Sequence, residues 1–444
     1  ARLEIAPVRY DPVAGELEVT ERLELRIRYD GGDAAATADL MARTHSPFFD
    51  GVYQRIAGVR GLHENYPDRV RDEVTYVIIT PSMFTAQLQD FIAWKTERGF
   101  DVVVGEIGSP EVGTTTSSIR DYIHGLYDGA TPEQPAPSFV LFVGDVAQCP
   151  TWQVSGDATD RPYCAVDGDD VPDIYYGRFS ATNSTQLQNI LDKTMMYDQF
   201  TMPDPSYLDE VVLIAGYDSS FGGTHGNGTI NYGSENYFNA AHGIDADIHL
   251  YPQSGSDDAL IVSEVSEGRA FVNYTAHGSQ TSWSDPSFTQ TNINNLQNTG
   301  KYGLAIGNCC LTSTYDYGEC FAETWLRAPD RGMIGYIGAS NSTYWDEDVY
   351  WSVGYTANIS SIIRYEDTEL GVYDALWHEH GEDEDQWYVT QHAIVFCGNL
   401  AVQESGSGLT DYYWNVYNLM GDPSISPYLG IPEANPVAPP PNLV

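Results

Sequence analysis

The sequence predicts an α/β fold in which parallel strands alternate with helices. Near-continuous apolar runs at residues 139–143 and 211–215 are typical of strands that are buried on both faces. Segments with apolar residues at helical spacing, such as residues 86–98 and 185–200, lie between such runs. Alternation of this kind favours a parallel sheet with helices on both faces.

The predicted elements form two successive series. Gly99 ends the first helix, and a Thr/Ser cluster before residue 119 suits the start of the next. The first series has strands at 76–80, 101–104, 139–143 and 174–176, with helices at 86–98, 115–127 and 185–200. The second has strands at 211–215, 269–275, 303–307 and 333–338, with helices near 233–241 and 257–267.

Five regions follow from these patterns. Apolar alternation on both sides of Gly15 predicts two antiparallel strands near the beginning of the chain. The next stretch lacks periodicity and is interpreted as a linker. We predict an N-terminal β segment at 1–45, a linker at 46–73, subdomains at 74–205 and 206–427, and a proline-rich linker at 428–444.

Two strand ends of the second series carry reactive side chains. His277 follows the apolar run at 271–275, and Cys309 and Cys310 follow the run at 303–307. The carboxyl ends of parallel strands are where open α/β sheets place their chemistry. A thiol and a nearby imidazole are the minimum for nucleophilic catalysis, although each residue alone suits a structural role. Gly278 would let a substrate carbonyl approach its backbone N–H.

The two adjacent cysteines would point in opposite directions if the strand continued. Only one can then face His277. We favour Cys310 as the nucleophile, with Cys309 as the alternative.

The charge balance excludes some partners. The chain has 63 acidic and 21 basic residues, a net charge of -42 and a pI of about 4.2. Such a surface repels nucleic acid and anionic membranes. A saline habitat, bound cations or attraction of basic substrates would each account for it. The sequence shows no apolar run that predicts insertion into a membrane, and its start is expected to be a processed end.

The sequence around the reactive residues resembles that of a known family. The segment at 273–279, followed by Trp283, resembles the His-Gly motif of gingipain-type cysteine peptidases (peptidase family C25, clan CD), which usually has Gly where this chain has Ala276. Further segments resemble the family in order from about residue 74 to 427; they are 76–81, 94–100, 142–146, 172–180, 320–323, 339–345 and 418–424.

The resemblance implies a caspase/gingipain-like fold and a secreted cysteine endopeptidase that acts through an acyl-enzyme, with Arg or Lys preferred before the cut bond. Asp173 would orient the histidine, with Asp169 and Asp170 as alternatives. Trp283 and Trp345 would form walls of the substrate pocket. The β segment resembles the end of a pro-domain, so the chain's own pro-segment is a candidate inhibitor. Processing after Arg43, Arg60, Arg69 or Arg71 is a further hypothesis.

The family also implies structural Ca²⁺ and no organic cofactor. Carboxylate-rich loops occur at 157–173, 346–348 and 379–385. Oxygen ligands of this type suit calcium, and the candidate ligands are Asp169, Asp170, Asp346, Glu347 and Asp348. Two rival functions remain open at the level of the sequence. One is an inactive binding or scaffold module with a peptidase fold, and the other is a Cys-dependent transpeptidase.

Overall fold

The computed structural model describes residues 8–22, 24, 31–53, 74–368, 371–377 and 389–432. Contacts divide the chain into two units, residues 1–41 and residues 42–444. The predicted loop at 379–385 and most of the predicted C-terminal linker lie outside the described residues, as do Arg60, Arg69 and Arg71. No helix in the described ranges is long and apolar enough to cross a membrane.

The N-terminal unit contains a two-stranded antiparallel hairpin, β1 (Val8–Asp11) and β2 (Glu16–Val19). Gly15 adopts a positive φ of 69° in the connecting turn, which glycine accepts without strain. The register pairs Val8 with Val19 and Tyr10 with Leu17. The predicted antiparallel pair is therefore present over this range, and the flanking residues 1–7 and 25–30 lie outside the described residues.

A helix, α1 (Ala34–Thr44), occupies part of the range predicted as β segment. Its alanine-rich sequence has high intrinsic helix propensity. The Asp33 carboxylate accepts hydrogen bonds from the N–H groups of residues 35 and 36 at 3.0 and 3.1 Å, which caps the helix. Short helical turns at Pro47–Phe49 and α2 (Asp50–Tyr53) follow, so the linker prediction was wrong for these residues.

A ten-stranded sheet forms the centre of the larger unit. Its strands in chain order are β3 (Val74–Pro81), β4 (Phe100–Ile107), β5 (Pro137–Val143), β8 (Tyr175–Phe179), β9 (Glu210–Ala215), β10 (Asp245–His249), β11 (Phe271–Thr275), β15 (Leu304–Asn308), β16 (Gly335–Ala339) and β17 (Tyr417–Met420). Two small sheets lie outside it. One has two strands, β6 (Trp152–Val154) and β7 (Asp157–Thr159), and the other has three, β12 (Gly278–Ser279), β13 (Ser282–Trp283) and β14 (Phe288–Thr289).

The spatial order of the sheet is β10-β9-β11-β15-β16-β17-β8-β5-β3-β4. Neighbouring strands are parallel except β16 and β17, which are antiparallel. The strands before the boundary predicted at 205/206 run in one direction and those after it in the opposite direction, except β17, which follows the boundary in the chain but runs parallel to β8. The sequence prediction contained neither β17 nor β10, and it did not anticipate this reversal.

Helices cover the sheet. They are α3 (Ser82–Thr85), α4 (Gln89–Glu97), α5 (Thr116–Asp128), α6 (Ser184–Asp198), α7 (Asn227–Asn236), α8 (Asp258–Glu267), α9 (Gln290–Asn295), α10 (Phe321–Arg327), α11 (Trp345–Val353), α12 (Val372–Trp377), α13 (Gln391–Glu404) and α14 (Thr410–Val416). The Thr115 hydroxyl accepts from the Ser118 N–H, which confirms the predicted start of α5. Every residue of β5, β8, β11, β15, β16 and β17 is buried, as expected for strands covered on both faces.

Candidate active site

Four adjacent strands end at the same edge of the sheet. β9, β11, β15 and β16 are parallel, and the register aligns Thr275 with Ala215 on one side and with Asn308 on the other. The segments that follow these strands carry Asp218, His277, the Cys309–Cys310 pair and Trp345. The predicted proximity of the His and Cys segments therefore follows directly from strand order and register.

His277 is oriented by Asp218. Its Nε2 lies 2.7 Å from Oδ2 of Asp218, and the other carboxylate oxygen accepts the N–H groups of Ser220 and Phe221 at 2.7 and 2.8 Å. Burial opposes ionisation of Asp218, but these hydrogen bonds outweigh it and lower its pKa. A carboxylate only accepts, so Nε2 carries the proton and Nδ1 keeps a lone pair that can act as a base.

Asp173 does not make the contact predicted for it. Its Oδ2 accepts the N–H groups of Val166 and Asp167 at 2.7 and 3.3 Å, which closes its own loop. Burial raises the pKa of Asp173 to about 6. This residue precedes β8, which is four strands away from β11, or about 20 Å at the usual strand spacing. The assignment of Asp173 as the orienting acid was therefore wrong in geometry, and Asp218 takes that position.

The two cysteines differ in exposure. Cys309 is fully buried, and burial raises its pKa well above the ordinary value. Cys310 is partly exposed, and its Sγ accepts the N–H of Thr343 at 3.3 Å. Burial in an apolar environment disfavours the thiolate of Cys309, whereas a substrate can reach the partly exposed sulfur of Cys310. These environments support Cys310 as the nucleophile, and that assignment remains a prediction.

Gly278 joins the histidine and cysteine segments by close packing. A Cβ atom at this position would lie 2.5 Å from the carbonyl oxygen of Cys310 and 2.7 Å from Sγ of Cys309. Such distances are shorter than any ordinary carbon contact, so a side chain here would push the two segments apart. Glycine thus sets the spacing between the candidate base and nucleophile.

Two backbone N–H groups are available beside the thiol. In the β12–β13 pair, the N–H of Ser284 donates to the carbonyl of His277 at 2.9 Å, which makes Gly278 and Trp283 a non-hydrogen-bonded pair. The neighbours of Cys310 both donate, Cys309 to Gly307 and Leu311 to Asn341. Within the described residues the N–H of Cys310 has no backbone acceptor. Both groups can therefore serve an oxyanion.

The strand-to-turn transition holds Cys310 in place. Leu311 adopts a positive φ of 68°, a conformation that costs a bulky residue about 1–3 kcal/mol. Its N–H donates to the carbonyl of Asn341 at 3.0 Å, which fixes the turn against the segment after β16. The thiol is consequently presented from a constrained backbone.

The two tryptophans predicted as pocket walls have different environments. Trp345 packs edge-on against the His277 ring, with centroids 5.5 Å apart, and stacks on Phe221 at 5.5 Å. Trp283 is fully buried, stacks on Tyr274 at 4.9 Å and donates its indole N–H to Tyr336. The prediction of Trp283 as a wall was wrong, because hairpin β12–β13 turns its side chain into the core.

A buried carboxylate lies two hydrogen bonds from the thiol. Thr343, whose N–H contacts Sγ of Cys310, donates its hydroxyl to Oδ2 of Asp348 at 2.6 Å. The hydroxyls of Tyr413 and Tyr417 donate to Oδ1 at 2.9 and 3.0 Å. Burial raises the pKa of Asp348 to about 7, although these hydrogen bonds oppose the shift. Asp348 is also one of the residues predicted from the sequence as calcium ligands.

The five carboxylates predicted as calcium ligands do not converge. In the loop before β8, Asp169 accepts the N–H of Val171 and Asp170 pairs with Arg161. At the start of α11, Asp346 contacts His225, Glu347 accepts the Ser407 hydroxyl and Asp348 accepts the Thr343 hydroxyl. Among the described residues there is no group of three or more His, Cys, Asp or Glu side chains arranged to hold a metal ion. The predicted set, Asp169, Asp170, Asp346, Glu347 and Asp348, therefore does not fit a single calcium site.

The profile of peptidase family C25 matches residues 69–428. The chain belongs to this family. Lys-gingipain from Porphyromonas gingivalis is 38% identical over 449 residues, which cover 98% of this chain and 25% of that protein. This membership confirms the family resemblance predicted from the sequence.

Solved structures agree on the C25 fold. One, described as a protease, has a TM-score of 0.75 and 37% identity and covers 83% of this chain and 82% of that one. The crystal structure of the Arg-specific cysteine proteinase gingipain R (RgpB) has a TM-score of 0.65 and 20% identity, covering 81% and 80%. These likenesses confirm the predicted fold class. The chain spans about a quarter of the length of Lys-gingipain.

Sequence reasoning missed Asp218 and Thr343 in the C25 site. The signal for Asp218 was its position after the apolar run at 211–215, which places it next to the His277 strand once the sheet order is known. Thr343 had no signal, because only its backbone N–H reaches the sulfur.

Proposed function

We propose that this chain is a cysteine endopeptidase that hydrolyses peptide bonds through an acyl-enzyme on Cys310. The observation that carries the proposal is the Asp218-oriented His277, held at the strand end next to a partly exposed thiol. Membership of family C25 supports the same reaction class.

The reaction begins with transfer of the thiol proton from Sγ of Cys310 to Nδ1 of His277. The thiolate attacks the carbonyl carbon of the substrate, and the resulting oxyanion accepts from the N–H groups of Gly278 and Cys310. His277 then protonates the leaving amine, which leaves a thioester. Water, deprotonated by His277, hydrolyses the thioester and restores the thiol.

We propose lysine as the residue preferred before the cut bond. Asp348 is a buried carboxylate that Thr343 links to the nucleophile, and Trp345 offers a flat apolar surface beside the catalytic histidine. This combination suits a long alkyl stem that ends in a single compact positive charge. The 38% identity to a protein named Lys-gingipain supports lysine over arginine.

The test is intact-mass labelling with chloromethyl ketones that carry lysine, arginine or norleucine. Norleucine has the stem of lysine without the charge. We expect one adduct with the lysine reagent on wild type and Cys309→Ala, and none on Cys310→Ala. An adduct lost only in Cys309→Ala would identify Cys309 as the nucleophile. A wild-type chain that reacts with iodoacetamide but with none of the three ketones would favour the inactive scaffold.

The same catalytic side chains would support a transpeptidase reaction if an amine replaced water in the attack on the thioester. The Cys310 and His277 steps are identical up to the thioester, so product analysis distinguishes the two functions. Incubation of a peptide substrate with excess glycylglycine should give the free acid as the main product. A dominant glycylglycine adduct would support transfer instead.

Secretion, inhibition by the chain's own N-terminal segment and calcium binding are further proposals that rest on the family resemblance. For calcium, the described carboxylates give no support. Thermal unfolding in millimolar CaCl₂, compared with MgCl₂ and with chelator, tests it, and an unchanged Tm would end that proposal. Immunodetection of the chain in culture medium and cell fractions tests secretion.

A further inference from the structure

The lysines of this chain are few and are held within the fold. The sequence contains three lysines, Lys95, Lys193 and Lys301, against eighteen arginines. Lysine is among the commonest residues of soluble proteins, so a chain of 444 residues with three is strongly depleted. All three lie in the described part of the larger unit.

Two of the lysines are inaccessible. Lys95 is 1% exposed near the end of α4, and its Nζ lies 2.8 Å from both Asp198 and Asp422. Lys193 is 2% exposed within α6, and its Nζ donates to the carbonyls of Trp325 and Arg331 at 2.8 and 2.7 Å. A peptidase binds an extended backbone with the side chain free, and neither lysine offers this without unfolding of its helix.

Lys301 is the most accessible of the three, with 29% of its side chain exposed. Its Nζ lies 3.0 Å from Asp204, and its backbone N–H and carbonyl both bond to Asn298 at 3.0 Å. The next residue, Tyr302, is buried and accepts the Tyr207 hydroxyl at its carbonyl. The bond after Lys301 is therefore anchored on both sides.

Arginine is distributed differently. Arg22 has 81% of its side chain exposed and lies in a stretch without regular secondary structure. Arg9 and Arg364 are also exposed. Some arginines are thus exposed among the described residues, whereas the most accessible lysine has 29% of its side chain exposed. Exposed loops are where proteolysis concentrates, so a peptidase that accepted arginine would find sites on this surface.

We infer that the chain is adapted to resist its own activity, because it has only three lysines and all three lie where the backbone is held within the folded structure. The inference rests on the proposed function and adds how the enzyme survives at high concentration. Cleavage of a folded protein requires local opening, and the three lysines lie where opening is costly. The first 94 residues contain no lysine, so the enzyme does not cut its own N-terminal segment free.

The test uses the full chain with Cys310→Ala as substrate and a small amount of active chain as enzyme. Native substrate should stay intact. The same substrate unfolded in urea and diluted into the assay should give the peptides 1–95, 96–193, 194–301 and 302–444. Arg22→Lys and Arg364→Lys, each in the Cys310→Ala chain, should be cut in the native state after residue 22 and after residue 364.

Each outcome separates the inference from the proposed function. Native substrate cut after Lys301 would overturn self-resistance and leave the peptidase intact. Native Arg22→Lys and Arg364→Lys chains that both stay whole, while unfolded chain is cut after lysine, would show that lysine exclusion protects nothing. Cuts after arginine in unfolded chain would overturn the lysine preference of the proposed function, and with it the protection by absence of lysine. Unfolded chain that is not cut at all would refute the proposed function itself.

Discussion

Nε2 of His277 lies 2.7 Å from Oδ2 of Asp218, a residue 59 positions earlier in the chain. The two side chains follow neighbouring parallel strands, β11 and β9, whose last residues are aligned in register. This pair fixes which ring nitrogen faces the substrate. The acid that orients His277 is therefore Asp218 and not Asp173, which lies in a separate acidic loop.

Replacement of Asp218 by asparagine should reduce kcat/KM for a lysine substrate by about 10- to 10⁴-fold, because Asn can donate to Nε2 and favour the wrong tautomer. Asp173→Asn is the matched control. It should alter stability and leave kcat/KM within about twofold, since the Asp173 carboxylate accepts the N–H groups of Val166 and Asp167 in its own loop. Steady-state kinetics with matched circular dichroism measure both. The reverse ranking would restore Asp173 as the orienting acid.

Gly278→Ala should lower kcat/KM by about 10²-fold or more, since displacement of a catalytic group by roughly 1 Å has effects of that size. The added methyl would meet the Cys310 carbonyl and Cys309 Sγ. Gly125→Ala, in α5 with open space around the new methyl, is the control and should stabilise the protein by about 0.5–1 kcal/mol. Full activity of Gly278→Ala would show that the segments tolerate separation.

Asp348 should give lysine recognition a distinctive pH dependence. Its pKa of about 7 means that the carboxylate is neutral at lower pH and anionic at higher pH. The ratio of kcat/KM for lysine over norleucine substrates should fall about tenfold per pH unit below 7 and level off above it. Ionisations of Cys310 and His277 affect both substrates and cancel in the ratio.

Asp348→Asn is the matched variant for this profile. Its ratio should be low and independent of pH, while the norleucine substrate is still cut. Thermal unfolding must show that the variant folds, because Asp348 also accepts from Tyr413 and Tyr417. A wild-type ratio that is flat between pH 5 and 9 would remove Asp348 from lysine recognition.

His225 should position Trp345. Its Nε2 lies 2.9 Å from Oδ1 of Asp346, and its ring packs edge-on against Trp345 with centroids 6.0 Å apart. His225→Ala should raise KM for a lysine substrate about two- to fivefold with little change in kcat, a size typical of the net loss of one hydrogen bond. His225→Gln, which can still donate to Asp346, should restore KM. An equal loss in both variants would leave only a steric role for the ring.

The tryptophan assignments also separate by kinetics. Trp345→Leu should raise KM for lysine substrates with a small change in Tm, because the ring lies beside His277. Trp283→Leu should lower Tm with unchanged KM in the folded fraction, since this ring is fully buried among core aromatics. Loss of a large core ring typically costs about 3–5 kcal/mol when it is cut to alanine, and somewhat less for leucine.

The sequence by itself determined the fold class, most of the sheet strands and the presence of His277, Gly278 and a cysteine at neighbouring strand ends. These features depend on local apolar patterns, which can be recognised directly in the sequence. Trp345 was predicted as a wall of the substrate pocket, and the structure shows this ring beside the histidine. The helix α1 was missed because alanine-rich sequence without an apolar stripe resembles a linker.

Only the tertiary structure decided which acid orients His277, which cysteine is exposed and which carboxylate lies near the thiol. Asp218, Asp173 and Asp348 are indistinguishable as residues in acidic segments. Their roles depend on the order and direction of strands that are far apart in the chain, and β17 reverses that direction in mid-sheet. Strand order is set by the packing of the whole sheet, so no local pattern encodes it.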